Sequence, residues 1–214
     1  MKLLSLLAHD TVALITILNP IAAASIMISM LHKPTRATIG PIARKATLTV
    51  LVASLVTLFG GEWIFHLFGI NVHSIKVIGG VILMMIAIHM VYGEPAKNRH
   101  SPEENQEAQE KEDISVVPIG IPILYGPGVI ATIVVLQHTN KAALQNPILA
   151  YALVAAAIVL SCIVVYFTLK NALYIHRLLG VSGMKILTRI MGLVVGAIAA
   201  QFLVGGVKAL WIGS

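Results

Sequence analysis

Two short stretches decide the fold, and they occupy matching places in the two halves of the chain. Residues 18–26 read LNPIAAASI and residues 125–133 read YGPGVIATI, so Asn19-Pro20 and Gly126-Pro127 stand 107 residues apart. Each proline lies near the middle of a long uncharged run. Proline lacks an N–H and clashes with the preceding helical turn, so we predict a break or kink in a helix at each of these points.

The composition places these stretches in a membrane protein. Of the 214 residues, 57% are hydrophobic and 11% are charged, whereas soluble domains are about 45–50% apolar and about 25% charged. This balance excludes a soluble globular protein, a disordered chain and a nucleic-acid-binding module. The net charge of +6 then indicates membrane orientation and contact with anionic lipid. The one cysteine, Cys162, excludes an intramolecular disulfide and a cysteine-based zinc site.

Six uncharged runs are long enough to cross a bilayer. They contain 16 to 28 residues, and a hydrocarbon core about 30 Å thick needs roughly 20 apolar residues of helix. We therefore predict an all-α integral membrane fold with six transmembrane helices: Thr11–Leu31, Ala46–Phe68, Ile75–Tyr92, Ser115–Leu136, Pro147–Leu169 and Ile186–Leu210. A cleaved signal peptide is the less favoured explanation of the first run, because His9 and Asp10 interrupt its apolar beginning.

Lysine and arginine are unevenly distributed between the two sides of such a chain. Eleven lie in the connections after the first, third and fifth predicted helices: Lys33, Arg36, Arg44, Lys45, Lys97, Arg99, Lys111, Lys170, Arg177, Lys185 and Arg189. The other side holds four, which are Lys2, Lys76, Lys141 and Lys208. Positive residues favour the cytoplasmic side, so we predict that both the N-terminus and the C-terminus lie outside.

The acidic residues concentrate in a single connection. Seven of the nine aspartates and glutamates fall within residues 93–113, together with prolines, asparagines and glutamines. This segment is too polar to bury, so we predict an acidic cytoplasmic linker there. It divides the chain into a first three-helix repeat, residues 1–92, and a second, residues 114–214. A solvated hinge is the simpler interpretation of the linker, and a regulatory segment is the alternative.

The two halves resemble one another beyond their prolines. Lys76-Val77-Ile78-Gly79 opens the third predicted helix, and Arg189-Ile190-Met191-Gly192 opens the sixth. An odd number of helices in each copy makes the second copy enter the membrane from the opposite side. This is the inverted-repeat plan of secondary transporters, whose substrate sites lie at the repeat interface near the membrane midplane.

Small residues also recur along the last predicted helix. Gly192, Gly196 and Ala200 follow one another at intervals of four, which lets helix backbones approach closely. We interpret them as packing residues, with Gly79 and Gly80 as their counterparts on the third predicted helix.

The paired helix breaks form the predicted substrate site. A proline at the first helical position, preceded by asparagine or glycine, is a favourable start for a half-helix. Such an end presents free N–H groups and a positive dipole end, which suit an anion such as a carboxylate. The predicted substrate-binding residues are Asn19, Pro20, Ser25, Gly126, Pro127, Gly128 and Thr132. The alternative is that the prolines only kink closely packed helices, as is common in membrane spans.

A polar stripe on the second predicted helix is a candidate for ion coupling. Thr47, Ser54 and Glu62 fall within an arc of about 80° at 100° per residue. Equally, Glu62 is explained as an interfacial anchor beside Trp63. Asp10 and Glu62 are both predicted near the outer interface, which disfavours a relay of midplane carboxylates. Backbone carbonyls at the helix breaks could instead hold a cation, so a proton and sodium are both candidate coupling ions.

The same segments resemble the MarC family of bacterial and archaeal inner-membrane proteins. The resemblance rests on Asn19-Pro20, on IPILYGPGVIAT at 121–132, on KVIGG at 76–80 and on RIMGL at 189–193. It covers essentially the whole chain, and its most specific feature is the spacing of Pro118, Pro122 and Pro127.

The resemblance implies a six-span protein of the bacterial inner (plasma) membrane, placed among small neutral amino acid transporters. The chain departs from the common family pattern at Ala22-Ala23-Ala24, where a glycine and often a second proline are usual. That departure concerns the shape of the first half of the site.

We therefore predict a secondary transporter of small neutral amino acids or similar small solutes, working by alternating access. Its predicted partners are this substrate, with a proton or sodium, and the lipid bilayer; no cofactor, bound metal or nucleic acid is expected. A divalent metal cation exporter is the alternative suggested by the eight histidines, although carboxylate ligands are missing from the middle of the predicted spans. An enzyme is not expected, because the chain contains no nucleophile elbow, phosphate loop or zinc-protease motif.

Overall fold

The computed structural model describes residues 2–31, 34–93 and 114–212, and the regular structure in these ranges is entirely helical. In chain order the helices are α1 (Lys2–Leu18), α2 (Pro20–Met30), α3 (Arg36–Leu67), α4 (Val72–Tyr92), α5 (Ser115–Leu124), α6 (Pro127–Leu144), α7 (Pro147–Lys170) and α8 (Ala172–Ile212). Apart from Gly93, the predicted acidic linker lies outside the described residues.

Within the described ranges, five segments are long and apolar enough to cross a membrane. They are α3, α4, α7, α8 and the 29-residue combination of α1 and α2. The number rises to six if the bent pair α5 and α6 forms one span. The all-α membrane fold predicted from the sequence is thus confirmed, and the span number is five or six by length and composition.

The first predicted break lies at Asn19, between α1 and α2. Asn19 adopts a left-handed conformation (φ 44°, ψ 63°), which asparagine tolerates better than most residues. Its side-chain oxygen accepts a hydrogen bond from the N–H of Ala22 at 3.3 Å, and its carbonyl accepts one from Ala23 at 3.2 Å. Asn19 is therefore the N-cap of α2, and Pro20 is its first residue, as the sequence predicts.

The second break differs from the expectation of a single helix interrupted only at Pro127. The backbone of α5 is extended at Val117 and Ile121, and cis peptide bonds precede Pro118 and Pro122. A residue before proline disfavours the helical conformation, so two prolines four residues apart prevent a regular helix here. Gly126 is extended as well, and α6 begins at Pro127 with a bend of 57° relative to α5.

Three helices begin earlier than hydropathy predicts. α1 begins at Lys2, α3 begins at Arg36, and α8 begins at Ala172 and turns at Gly180 (φ 62°). Thr35 explains the start of α3, because its side chain and that of Thr38 form a reciprocal capping box. Hydropathy marks the apolar part of a helix, whereas capping marks its end.

The helices pack in pairs that bring the two halves of the chain together. α4 lies along α8, α1 lies along α7, and α3 contacts both α5 and α7. α4 also contacts α6, α2 contacts α8, and the broken helices cross through contacts of α1 with α6 and α2 with α5. The largest core cluster joins α1, α2, α3, α6 and α7 and includes Leu14, Met27, Ile39, Leu58, Ile133 and Ile158.

Candidate functional site: two helix breaks beside α4

The first helix break faces α4 through Asn19. The Asn19 side chain is half-buried, and its Nδ2 donates to the sulfur of Met90 at 3.8 Å. Pro20 is buried beside it. The Asn19 carboxamide oxygen accepts from the N–H of Ala22. Because Pro20 has no N–H, the first N–H of α2 belongs to Ile21, and this side chain does not bond it.

The second helix break faces the same helix through Gly128. A Cβ added at Gly128 would lie 2.8 Å from Cδ2 of Leu83 and 3.3 Å from Cδ1 of Ile86, so a larger residue here would require these side chains of α4 to shift. The N–H groups of Val129 and Ile130 donate to the Gly126 carbonyl at 3.0 and 3.3 Å. Gly126 is half-buried and Pro127 is exposed.

The two breaks therefore meet along one face of α4. Leu83 and Met90 are seven residues apart on this helix, which places them on the same face with an axial separation of about 10 Å. The structure thus brings together Asn19, Pro20, Gly126 and Gly128, which the sequence places 107 residues apart. The packing of Gly128 also gives it a structural role in addition to its predicted role at the site.

The two hydroxyl groups predicted at the site occupy equivalent positions. Ser25 donates to the carbonyl of Ile21 at 3.2 Å, and Thr132 donates to the carbonyl of Gly128 at 2.7 Å. Both bonds run back one turn within their own helix, so each hydroxyl can offer a ligand its lone pairs but not its hydrogen. Thr132 is fully buried, and Ser25 is half-buried.

The predicted polar stripe of α3 divides into two environments. Thr47 and Ser54 are buried, and the Thr47 hydroxyl has no hydrogen-bond partner among the described residues. Glu62 is half-exposed instead: Lys141 donates to both of its carboxylate oxygens at 2.9 Å, and the Tyr151 hydroxyl donates to Oε2 at 3.2 Å. Glu62 thus fastens α3 to α6 and α7, while Thr47 and Ser54 face the bundle interior.

The sequence did not point to the contact between Asp10 and Asn140. Asp10 is 1% exposed, and Asn140 of α6 donates to its Oδ2 at 2.5 Å. The prediction placed Asp10 near the outer interface without a partner, because nothing local relates residues 130 positions apart. One signal was available, since Asp10 shares a helix face with the buried Leu14 and Leu18 at intervals of four.

Tyr125 is a second residue that the sequence did not single out. It directly precedes Gly126, is buried, and donates from its hydroxyl to the Ala53 carbonyl of α3 at 3.0 Å. The same hydroxyl is hydrogen-bonded to that of Thr57. Tyr125 thus fixes the chain before the second break to α3.

The histidines offer little support for a metal site in the described part of the chain. The rings of His73 and His138 meet edge to face, with 6.0 Å between their centroids. Within residues 2–31, 34–93 and 114–212, no group of three or more His, Cys, Asp or Glu side chains is placed to hold a metal ion.

These features define a multi-pass membrane protein with two interrupted helices brought together on a third. The chain belongs to the MarC family: the family model described as "MarC family integral membrane protein" matches residues 4–211. The resemblance noted in the sequence is therefore confirmed.

Curated relatives cover nearly the same length. The chain is 31% identical to a UPF0056 membrane protein of Aquifex aeolicus, over 92% of this chain and 90% of the relative. It is 32% identical to the UPF0056 membrane protein YvbG of Bacillus subtilis, over 97% and 96%. It is 30% identical to the UPF0056 membrane protein YhcE of Escherichia coli, over 94% and 92%. No solved structure shows a significant match to this chain.

Proposed function

We propose that this protein is a secondary transporter of small neutral amino acids or similar small solutes, and not an enzyme. It would work in the bacterial inner membrane by alternating access between two inverted three-helix repeats. The observation that carries the proposal is the meeting of two broken helices, one from each half, on the same face of α4. Broken helices that converge between repeats are the usual setting of a transporter's substrate site.

The helix packing supports the inverted repeat. If the two halves are copies, α1, α2, α3 and α4 correspond to α5, α6, α7 and α8. The contact of α1 with α7 then has the contact of α5 with α3 as its counterpart. In the same way, the contact of α4 with α6 corresponds to that of α8 with α2. The contact of α1 with α6 corresponds to that of α5 with α2. Each of these counterparts is present, as expected of two copies of one three-helix unit.

The basic residues that open α4 and the apolar part of α8 also correspond. A Cβ added at Gly93, the C-cap of α4, would lie 2.9 Å from a guanidinium nitrogen of Arg189. A Cβ added at Gly206, near the end of α8, would lie 3.0 Å from Cβ of Lys76. Arg189 therefore stands beside the negative dipole end of α4, where a cation is stabilising, and Lys76 packs against α8 six residues before its end.

The chemistry of the breaks fits a carboxylate. α2 and α6 each begin with a proline inside an apolar span, and a helix N-terminus attracts anions through its dipole and its N–H groups. With the repeats inverted, the two N-termini approach from opposite sides, so a substrate between them could be held from either face. Ser25 and Thr132 would supply hydroxyl oxygens for the amino group of such a substrate.

The test is transport by the purified protein in proteoliposomes. Uptake and counterflow of labelled glycine, alanine and serine would be measured with and without imposed proton and sodium gradients. Saturable flux is expected. Absence of amino-acid flux in well-folded preparations would contradict the proposal, and zinc, cobalt and nickel would then be tested for the metal exporter.

Asn19→Ala should impair transport while insertion and expression stay normal, because the variant loses the cap of α2 at the site. Loss of an N-cap costs about 0.5–2 kcal/mol. Asn146→Ala is a matched control, since Asn146-Pro147 forms the same kind of cap at the exposed start of α7. We expect a larger loss of stability in Asn19→Ala, because alanine is also strained in the left-handed conformation of residue 19, but loss of flux only in Asn19→Ala. Wild-type flux in Asn19→Ala would refute the assigned role of the cap.

A further inference from the structure

Asp10 is a carboxylate buried between the two halves of the chain. It is 1% exposed, its Oδ2 accepts the 2.5 Å hydrogen bond from Asn140, and its Oδ1 lies 3.1 Å from Nδ1 of His9. Burial of a carboxylate is costly unless a positive charge or several hydrogen bonds compensate it. An ionisable residue inside a membrane helix is therefore a candidate functional site, identified together with its partner.

The other ionisable groups at this end of the bundle do not supply a permanent counter-charge. These groups are Lys2 and His9 on α1, Glu62 and His66 on α3, His73 and Lys76 on α4, His138 and Lys141 on α6, Tyr151 on α7 and Lys208 on α8. Lys2 donates to the carbonyl of Ala143 at 2.9 Å. Lys141 is paired with Glu62 at 2.9 Å. α7 meets this part of α1 through the Ser161 hydroxyl, which donates to the carbonyl of Thr11 at 3.2 Å. Among the described contacts of Asp10, only His9 can carry a positive charge.

Gln137 provides a second, independent observation. It is 2% exposed, and neither its side-chain oxygen nor its nitrogen has a hydrogen-bond partner within the described ranges. Buried amide groups are almost always paired, so an amide with no protein partner in the described ranges is available to bind a ligand. Gln137 lies three residues before Asn140 on α6, and side chains at this spacing are neighbours on one helix face. Gln137 therefore lies about one helical turn from the residue that bonds Asp10, and amide and carboxylate oxygens are ligands of hard cations.

We propose that Asp10, Asn140 and Gln137 form the binding site for the cation that drives transport. This inference rests on the proposed transport function, and the cation is either sodium or a proton, since both neutralise a carboxylate. Asp10 belongs to the first half of the chain, whereas Asn140 and Gln137 belong to the second. Occupancy of the site therefore changes how α1 and α6 associate, and a ligand that binds two arrangements with different affinity shifts the balance between them.

The first test measures cation binding without any transported solute. Thermal unfolding of the purified protein in detergent would be followed in sodium chloride and in N-methylglucamine chloride at equal ionic strength, at several pH values. A cation that binds the folded state raises the Tm. For sodium, we expect a sodium-dependent rise that Asp10→Asn abolishes. For a proton, we expect the Tm of the wild type to depend on pH in the absence of sodium. This dependence should be lost in Asp10→Asn. If the Tm of Asp10→Asn responds to sodium and to pH in the same way as that of the wild type, the proposed site is overturned.

Two further variants keep the test decisive if Asp10→Asn folds poorly. Gln137→Met preserves the volume but removes the amide oxygen, and we expect it to need about tenfold more of the active cation, the order of loss for a weakened metal site. A wild-type response in Gln137→Met would overturn the site. Glu62→Gln tests the other carboxylate in the described helices. Loss of the response in Glu62→Gln together with its retention in Gln137→Met would assign the cation to Glu62 and overturn the proposal.

Proteoliposomes separate this inference from the proposed function. In Asp10→Asn we expect gradient-driven accumulation of the amino acid to be lost. Gradient-driven accumulation at the wild-type level in Asp10→Asn would overturn the cation site and leave the transport function intact. Absence of any wild-type amino-acid flux, with the cation response of the Tm still dependent on Asp10, would reject the proposed substrate while supporting the cation site.

Discussion

Proline chemistry at the level of single residues explains why the two breaks differ in shape. Asn19 accepts a left-handed conformation, and the N–H of Asn19 still bonds the carbonyl of Ile15 at 3.0 Å. α1 and α2 therefore continue as one span. Before Pro127, in contrast, Pro118 and Pro122 force extended residues into α5, and Gly126 has no side chain to cap α6. The result is the 57° bend.

Tyr125 stabilises the bend from the side of α3. Replacing Tyr125 by phenylalanine would remove the hydroxyl that bonds Ala53 and Thr57 but would keep the ring in place. We expect a loss of about 1–2 kcal/mol in the free energy of unfolding, because a typical net hydrogen bond contributes about 1 kcal/mol and an unpaired buried group costs more. Thermal or denaturant unfolding in detergent would measure this.

Tyr174→Phe is the control for Tyr125→Phe, because Tyr174 is 64% exposed on α8. The control should unfold like the wild type. Equal stability of all three proteins would show that the Tyr125 hydroxyl does not hold α5 to α3.

At the level of helices, glycine sets how closely the two halves approach. A Cβ added at Gly80 would lie 3.0 Å from the carbonyl of Ala199, and one added at Gly192 would lie 3.1 Å from that of Ala87. These contacts hold α4 against α8, as the spacing of Gly192 and Gly196 predicts for close packing. Gly79 instead lets α4 pack closely against α6, since a Cβ at this position would lie 2.6 Å from Cβ of Ala131. The prediction that Gly79 and Gly80 are packing residues thus agrees with the structure, on two different neighbours.

Gly79→Ala should separate α4 from α6 near the helix break. Overpacking of this kind costs about 1–3 kcal/mol, which exceeds the gain in helix propensity of about 1 kcal/mol from glycine to alanine. We expect a lower Tm in Gly79→Ala and recovery in the double variant Gly79→Ala with Ala131→Gly. The two single variants and the double variant form a thermodynamic cycle that isolates the contact.

Gly205→Ala is a suitable control for Gly79→Ala, because a Cβ at Gly205 of α8 would meet no atom within 4 Å. It should be neutral or stabilising. A failure of Ala131→Gly to restore Gly79→Ala would mean that another neighbour limits the space at Gly79.

At the scale of the whole molecule, contacts between helix ends place both termini at one end of the bundle. Lys2, at the start of α1, donates to the carbonyl of Ala143 at the end of α6 at 2.9 Å. Lys141 joins the end of α6 to the end of α3 through Glu62. A Cβ at Gly206, near the end of α8, would lie 2.9 Å from the carbonyl of His73 at the start of α4. Ends that meet in this way favour an even number of crossings, which supports six spans with α5 and α6 as one.

The orientation of this end can be tested with single cysteines in a Cys162→Ala background. Ala37 at the start of α3 and Ala142 at the end of α6 are both exposed. Because the positive residues favour the cytoplasm near Ala37, we expect a membrane-impermeant maleimide to label Ala142→Cys in right-side-out spheroplasts. Ala37→Cys should be labelled only in inverted vesicles.

The opposite labelling pattern would place both termini in the cytoplasm and reverse the predicted orientation. Labelling of both cysteines from the same side would contradict an α5–α6 segment that spans the membrane. Cys162 itself is buried, so the wild type should show little maleimide labelling, and the Cys162→Ala background removes what remains.

Much of the fold could be predicted because it depends on local chemistry. Proline positions predicted both breaks, asparagine before proline predicted the cap of α2, and uncharged runs predicted the apolar spans. The irregular form of α5 was missed because Pro118 and Pro122 were considered only for their spacing and not for their effect on the predicted helix Ser115–Leu136. The extra turns of α1, α3 and α8 were missed because the spans were bounded by charged residues such as Asp10, Lys45 and Lys185, each of which lies inside a helix.

The sequence by itself determined that this chain is a helical membrane protein of the MarC family with two helix breaks, because span length and proline act through neighbouring residues. Only the tertiary structure decided which distant groups meet. It placed Asn19 and Gly128 on one face of α4, buried Asp10 against Asn140, and gave the Gln137 side chain no hydrogen-bond partner among residues 2–31, 34–93 and 114–212. Such contacts depend on how helices cross, and no local pattern encodes a hydrogen bond between residues 130 positions apart.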